Sequence, residues 1–141
     1  MPSPQYSPDH SNIGATHAAA GLQWLFDRYP LWGLSMRELA TLLGGISERQ
    51  LYRWKRHVQE HDEINIPSDA LERISLLLGI HKALTLITPD GHEREAYKLF
   101  KRPMDLIGLR GLSIRELLIE DSSTDKMYDV RRSLEGLRAS P

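Results

Sequence analysis

The chain has 141 residues, 40% of them hydrophobic and 26% charged, with a formal net charge of −1 and no cysteine. That apolar content suits one good core or two small ones, and the missing cysteines exclude disulfides, thiolate chemistry and cysteine-based zinc sites. No apolar run approaches the roughly 20 residues that span a membrane, and the N-terminus lacks a charged-then-apolar layout, so a cytoplasmic location is expected.

Residues 1–12 hold three prolines and no periodicity and read as a disordered terminus. Over 13–29, Ala15, Ala18, Ala19, Leu22, Leu25, Phe26 and Tyr29 fall on one helical face, and Pro30 closes the segment. Trp24 and Trp32 are of a type that can enter a nucleic-acid groove, but aromatic rings at helical spacing or in a tight turn read as core. Ser35 with Glu38 three residues on forms a capping box, which starts a helix over 36–43. Gly44 and Gly45 then break the chain where positive φ costs little, and Ser47 caps a second helix over 48–58.

Within that second helix Leu51, Trp54 and Val58 recur at i, i+3 and i+7 and should meet Leu39, Ala40 and Leu43 of the first. Arg49, Gln50 and Arg53 are left outside, beside Lys55, Arg56 and His57. Arg can bond a guanine edge twice, Gln an adenine edge, and neighbouring cations hold phosphates. The segment therefore reads as a helix-turn-helix, with Ser47, Arg49, Gln50, Arg53, Lys55 and Arg56 as DNA-binding residues. The bland reading is a helical hairpin with a solvated face.

After it, 57–66 is polar and acidic and reads as a connection. His57 and His61 are spaced to share a helix face and a metal, but no third ligand is evident; solvated imidazoles at a fraying helix end are the simpler reading. Ser68 opens a helix over 68–87. Its Leu71, Ile74 and Leu78 form one stripe, while Leu76, Leu77, Ile80, Leu84 and Ile87 cover other faces, so several neighbours should bury it. Gly79 would permit a close crossing or a kink, and His81 and Lys82 read as exposed or interfacial. A turn at 88–91 leads to a short helix over 92–101 with Ala96, Tyr97 and Phe100 inward, ended by Pro103. Residues 104–112, with Gly108 and Gly111 among Lys101, Arg102 and Arg110, read as a structural corner. The other reading is a phosphate cradle, although no strand precedes it. Ser113 and Glu116 form a second capping box, over Ile114, Leu117 and Leu118. Met127, Val130, Leu134 and Leu137 then mark a last helix, and the final RASP has no reason to fold back.

Residues 1–60 carry six Lys or Arg against five Asp or Glu, and residues 61–141 carry twelve against fourteen. DNA affinity must then come from the local cluster at Arg49, Arg53, Lys55 and Arg56, doubled in a homodimer. No nucleophile, acid pair or metal cluster stands at convincing spacing, so no enzyme, cofactor or metal is expected.

The helix-turn-helix LATLLGGISERQLYRW, then DALERISLLLGIHKAL, KLFKRP with GLRGLSIRELL, and finally YDVRRSLEGLRAS together resemble the Xre/MbcA/ParS-type antitoxins of toxin–antitoxin systems whose toxins carry a RES domain. The resemblance implies an all-α protein: an N-terminal Xre-like helix-turn-helix unit (13–64) followed by a small helical toxin-binding or dimerisation unit (65–141). It implies a type II antitoxin that covers the active site of an NAD-consuming or ADP-ribosylating toxin with its C-terminal region and represses its own operon. The NAD chemistry would then belong to the partner. Val130, Arg131, Arg132, Leu134, Leu137 and Arg138 are the residues expected on or near the toxin. The main alternative is a stand-alone dimeric helix-turn-helix transcriptional regulator; a small enzyme using the histidines and the Gly108/Gly111 loop is a third.

Overall fold

The computed structural model describes residues 17–105 and 108–139, without the side chains of residues 138 and 139. The expected loose terminus, residues 13–16 of the first helix, residues 106–107 of the corner and the last two residues of the tail lie outside them. Among the described residues the chain is all helix. An N-terminal helix covers 17–28 (α1), followed by a tight turn Tyr29–Trp32 and by α2 Met36–Leu42, α3 Glu48–Gln59, α4 Ser68–Leu86, α5 Glu93–Lys101, α6 Ile114–Glu120 and α7 Thr124–Ala139. The boundaries follow local chemistry. Ser35, Ser47 and Ser113 each accept the backbone N–H three residues on, and Glu38 and Glu116 return the bond to their caps. Pro30 does not end a helix outright; it occupies the first turn of the Tyr29–Trp32 segment, where its missing N–H costs nothing.

The amphipathic helices arrange themselves around α4, which has apolar residues on every side. Ala70, Ile74, Leu76, Leu77, Ile80, Ala83 and Leu84 are all buried, and each large aliphatic among them contributes about 1.5–3 kcal/mol of burial. Its most extensive neighbour is α7. Arg73 reaches Ser122 just before α7, and Lys82 and Leu86 lie beside Leu134 and Glu135, so the two helices run in the same direction. At Gly21, α1 crosses α4 so closely that a Cβ would sit 2.9 Å from Ile74 Cγ2. Gly79 produces no break in α4; it makes room for the Arg131 guanidinium, 3.2 Å from where its Cβ would be.

One cluster of buried residues runs from Ala18 to Leu134, across the exposed connection near residue 64. Polar bonds cross it as well. Arg115 of α6 donates to both carboxylate oxygens of Glu38, at 3.0 and 2.9 Å, and to the Gly33 carbonyl at 2.9 Å. His81 is an interfacial residue of a particular kind. Its ring lies 4.7 Å from Trp24, 4.9 Å from Tyr97 and 6.0 Å from Trp32, and Trp32 stacks on Phe100 at 4.6 Å. Burial, with the Arg28 charge second, pushes His81 down to about 4, so the imidazole is neutral at pH 7. Trp32 is fully buried, so the core reading of that ring holds, while Trp24 is partly buried against the same cluster.

The two short hairpins, α2–α3 and α6–α7, repeat one another. Residues 33–39 read GLSMREL and residues 111–117 read GLSIREL, identical at six of seven positions, and the leading glycines share a left-handed φ, 74° and 79°. Beyond the turns the likeness continues through side-chain direction. Counting from the caps Ser47 and Ser123, buried Leu51, Trp54 and Val58 stand where Met127, Val130 and Leu134 stand, and exposed Tyr52 where Tyr128 stands.

Candidate nucleic-acid interface

The candidate surface is the outward side of α3, and two features hold that helix in place. Inward, Leu51, Trp54 and Val58 are buried in the common core with Leu39, Ala40 and Leu43. At the turn, Gly44 and Gly45 adopt φ of 110° and 75°, and the Gly44 backbone lies so close to α4 that a Cβ would stand 2.7 Å from Asp69 Oδ2. The paired glycines thus serve two needs: Gly45 lies in open space and reverses the chain, while Gly44 lets the turn seat against Asp69 and Arg73.

What α3 presents outward is a stripe at i, i+3, i+4 and i+7: Arg49, Tyr52, Arg53 and Arg56, all exposed. Gln50 and Lys55 flank it, both half-buried, and Arg53 Nη1 donates to Gln50 Oε1 at 3.4 Å. Ser47 is exposed, its hydroxyl engaged by the Gln50 amide. Of the six residues expected on DNA, Arg49, Arg53 and Arg56 thus share the outward stripe, Gln50 and Lys55 lie on its two flanks, and Ser47 caps the helix. Glu48, in the first turn, is held by Arg37 at 3.0 Å, which offsets the negative charge nearest the helix start. Tyr52 is the member that reasoning on charge passed over; its position three residues after Arg49 and four before Arg56 was the available signal.

At the other end of α3, His57 and His61 do not share a helix face, in keeping with the simpler reading of a helix end there. The helix stops at Gln59 and His61 turns left-handed, with φ 59°. The Asp62 amide then bonds the His57 carbonyl at 2.8 Å, which brings Asp62 Oδ2 to 3.2 Å from His57 Nδ1. His57, Glu60 and Asp62 place one ligand atom each within 4.8 Å of one another. Imidazole with two carboxylates is a donor set able to hold a divalent cation, and all three lie toward solvent.

The residues expected on a partner are dispersed. Val130 and Leu134 are 4% and 0% exposed, packed in the core, because α7 spends its apolar stripe on the rest of the same chain. Arg131 is half-buried over Gly79 and pairs with Glu135 at 3.4 Å. Arg132 is exposed and pairs with Asp129 at 3.1 Å. Leu137, also expected on or near the partner, is 42% exposed, and the side chain of Arg138 lies outside the described residues. Val130 and Leu134 would be available to a partner only if α7 left the core. The Gly108 and Gly111 corner has left-handed φ at both glycines and at Arg110, whose guanidinium bonds Glu120 at 2.7 Å.

Residues 12–79 match the family model of the antitoxin Xre-like helix-turn-helix domain. That span takes in the described part of α1, all of α2 and α3, and α4 as far as Gly79, so the α2–α3 hairpin lies wholly inside it. The chain is 29% identical over 119 residues to the uncharacterized protein y4oB of Sinorhizobium fredii (strain NBRC 101917 / NGR234), a match that covers 84% of each chain. No solved structure matches. The protein is thus built from an N-terminal Xre-like helix-turn-helix domain followed by further helices. Among the described residues no helix is long and apolar enough to cross a membrane.

Proposed function

We propose that the chain is a cytoplasmic type II antitoxin. In this reading it represses its own operon through α3 and neutralises a cognate RES-domain toxin through its C-terminal helices, residues 65–141. The observation that carries the proposal is the basic outward stripe of α3 inside a span that matches an antitoxin helix-turn-helix domain. Arg49, Gln50 and Arg53 face the base edges, while Ser47, Lys55 and Arg56 hold phosphates. With a chain charge of −1, one such stripe gives weak binding, and a homodimer on two half-sites makes it useful.

The test is direct. Duplex DNA from the region upstream of the gene is titrated with the protein; Arg53→Ala should weaken binding by roughly 1–3 kcal/mol. Unchanged affinity would assign the stripe to protein contacts. Expression of the neighbouring reading frame, with and without this chain, tests the other half. Growth arrest that this chain relieves supports the antitoxin; arrest with falling NAD points to an NAD-consuming toxin, and at steady NAD to modification of a protein. No arrest leaves a stand-alone regulator.

A further inference from the structure

We infer that the outward face of α7, formed by Asp125, Tyr128, Asp129 and Arg132, docks a protein whose own contact face is basic, and that this protein is the toxin. The inference rests on the antitoxin reading and deepens it, because it keeps Arg132 but moves the rest of the contact from the buried Val130 and Leu134 to the exposed, acidic side of the same helix.

The α6–α7 hairpin repeats α2–α3. Aligned by their caps, Arg49, Tyr52, Arg53 and Arg56 of α3 correspond to Asp125, Tyr128, Asp129 and Arg132 of α7, and all eight are exposed. The second hairpin therefore presents its longer helix outward as the first does, and keeps the central tyrosine. It replaces two of three arginines by aspartates. Carboxylates at these positions repel phosphate, so the face that suits DNA on α3 excludes it on α7. The same carboxylates, one helical turn apart, attract Lys or Arg on a protein surface.

Three further observations favour a docking role. Tyr128 is 40% exposed, and a half-exposed tyrosine offers large contact area for few rotatable bonds, which is why such residues anchor interfaces. Asp129 is engaged by Arg132 in a pair exposed on both sides; exposed pairs are worth little, so exchanging that partner for an incoming cation costs little. Finally α7 is fixed along α4, with Met127, Val130 and Leu134 buried. The face is formed before any partner arrives, so little ordering entropy opposes binding. A shallow groove lies between Lys82 and Leu86 of α4 and Arg131 and Glu135 of α7.

The experiment uses the full chain and the purified product of the neighbouring reading frame, with binding followed by calorimetry at two salt concentrations. Tyr128→Ala and the double variant Asp125→Lys/Asp129→Lys should each weaken the complex by about tenfold or more, whereas Asp129→Glu should retain it. Both disruptive variants change exposed side chains, and they should melt and bind upstream DNA as the parent chain does. If the parent chain binds and both variants bind equally well, the face is not the contact, and the antitoxin reading survives. If the parent chain binds no neighbouring product, that reading fails and takes the inference with it. If the double variant instead disperses a self-associated form of the chain alone, the occupant is a second copy and the assignment to the toxin is overturned.

Discussion

The α2–α3 and α6–α7 hairpins start from almost the same seven residues, yet the equivalent arginines have different roles. Arg37 follows the cap Ser35, reaches Glu48 in its own hairpin and keeps 84% of its side chain exposed. Arg115 follows the cap Ser113, crosses to the other hairpin, and is 30% exposed in a fork on Glu38. The consequence is seen at the two capping glutamates. The Ser35 amide holds Glu38 below its ordinary range, with Arg115 adding to it against partial burial. Glu116 is lowered by the Ser113 amide in the same way, but no side-chain ion pair joins it among the described residues. A local motif thus sets how a helix begins; what the motif's charged residues contribute is decided by what packs against them.

The largest expected effects test whether the hairpins share one core. Trp54→Ala in α3 should cost about 3–5 kcal/mol and Leu134→Ala in α7 about 2–5 kcal/mol, each shifting a single cooperative urea transition. Two separable transitions would show that the hairpins fold independently and would break the comparison at its root.

The next effect concerns α4, the helix that joins them. His81 is about 4 in the folded chain against roughly 6.5 when unfolded. Below pH 6.5 the unfolded chain binds a proton that the folded chain refuses, so this contribution is whole at pH 7.5 and is lost as pH falls toward 4. The loss is on the order of 2–3 kcal/mol. His81→Phe should flatten that part of the stability profile measured by denaturant titration between pH 4 and 7.5; an unchanged slope would place the proton elsewhere.

At the turn of the first hairpin, Gly44→Ala should cost about 2–3 kcal/mol, because left-handed strain adds to the collision with Asp69. Gly45→Ala, strained but in open space, should cost about 1 kcal/mol. Equal costs would mean that the Asp69 contact is soft. The smallest difference sharpens the comparison most: Arg115→Ala should lose about 1–3 kcal/mol, and Arg37→Ala less than about 0.5 kcal/mol, measured side by side at pH 7.

Much of this was legible in the chain alone, and the division is physical. Caps, turns and stripes are local, so Ser35, Ser47 and Ser113 could be placed from neighbours three residues away, and the inward set Leu51, Trp54 and Val58 from helical spacing. Arg115 and Glu38 are 77 positions apart, and nothing near either names the other. Val130 and Leu134 show the same limit, since their stripe announced an apolar contact without saying that Leu109 and Leu117 would lie beside one and α4 beside the other. That His57 and His61 would not form a helical pair was also a local matter, since the polar run after Val58 marks a helix end and His61 takes a conformation usually left to glycine. The GLSxREL repeat was readable, but comparing distant stretches finds it, and periodicity within one window does not.

Arg73 extends the reach of these contacts. It has 14% of its side chain exposed, donates to Asp69 at 3.0 Å beside the Gly44 turn, and donates again to the Ser122 carbonyl at the threshold of α7. One side chain therefore joins Asp69, against which the Gly44 turn is seated, to the residue two positions before α7. If binding on α7 and binding on α3 are coupled through this side chain, linkage gives the coupling one factor in both directions.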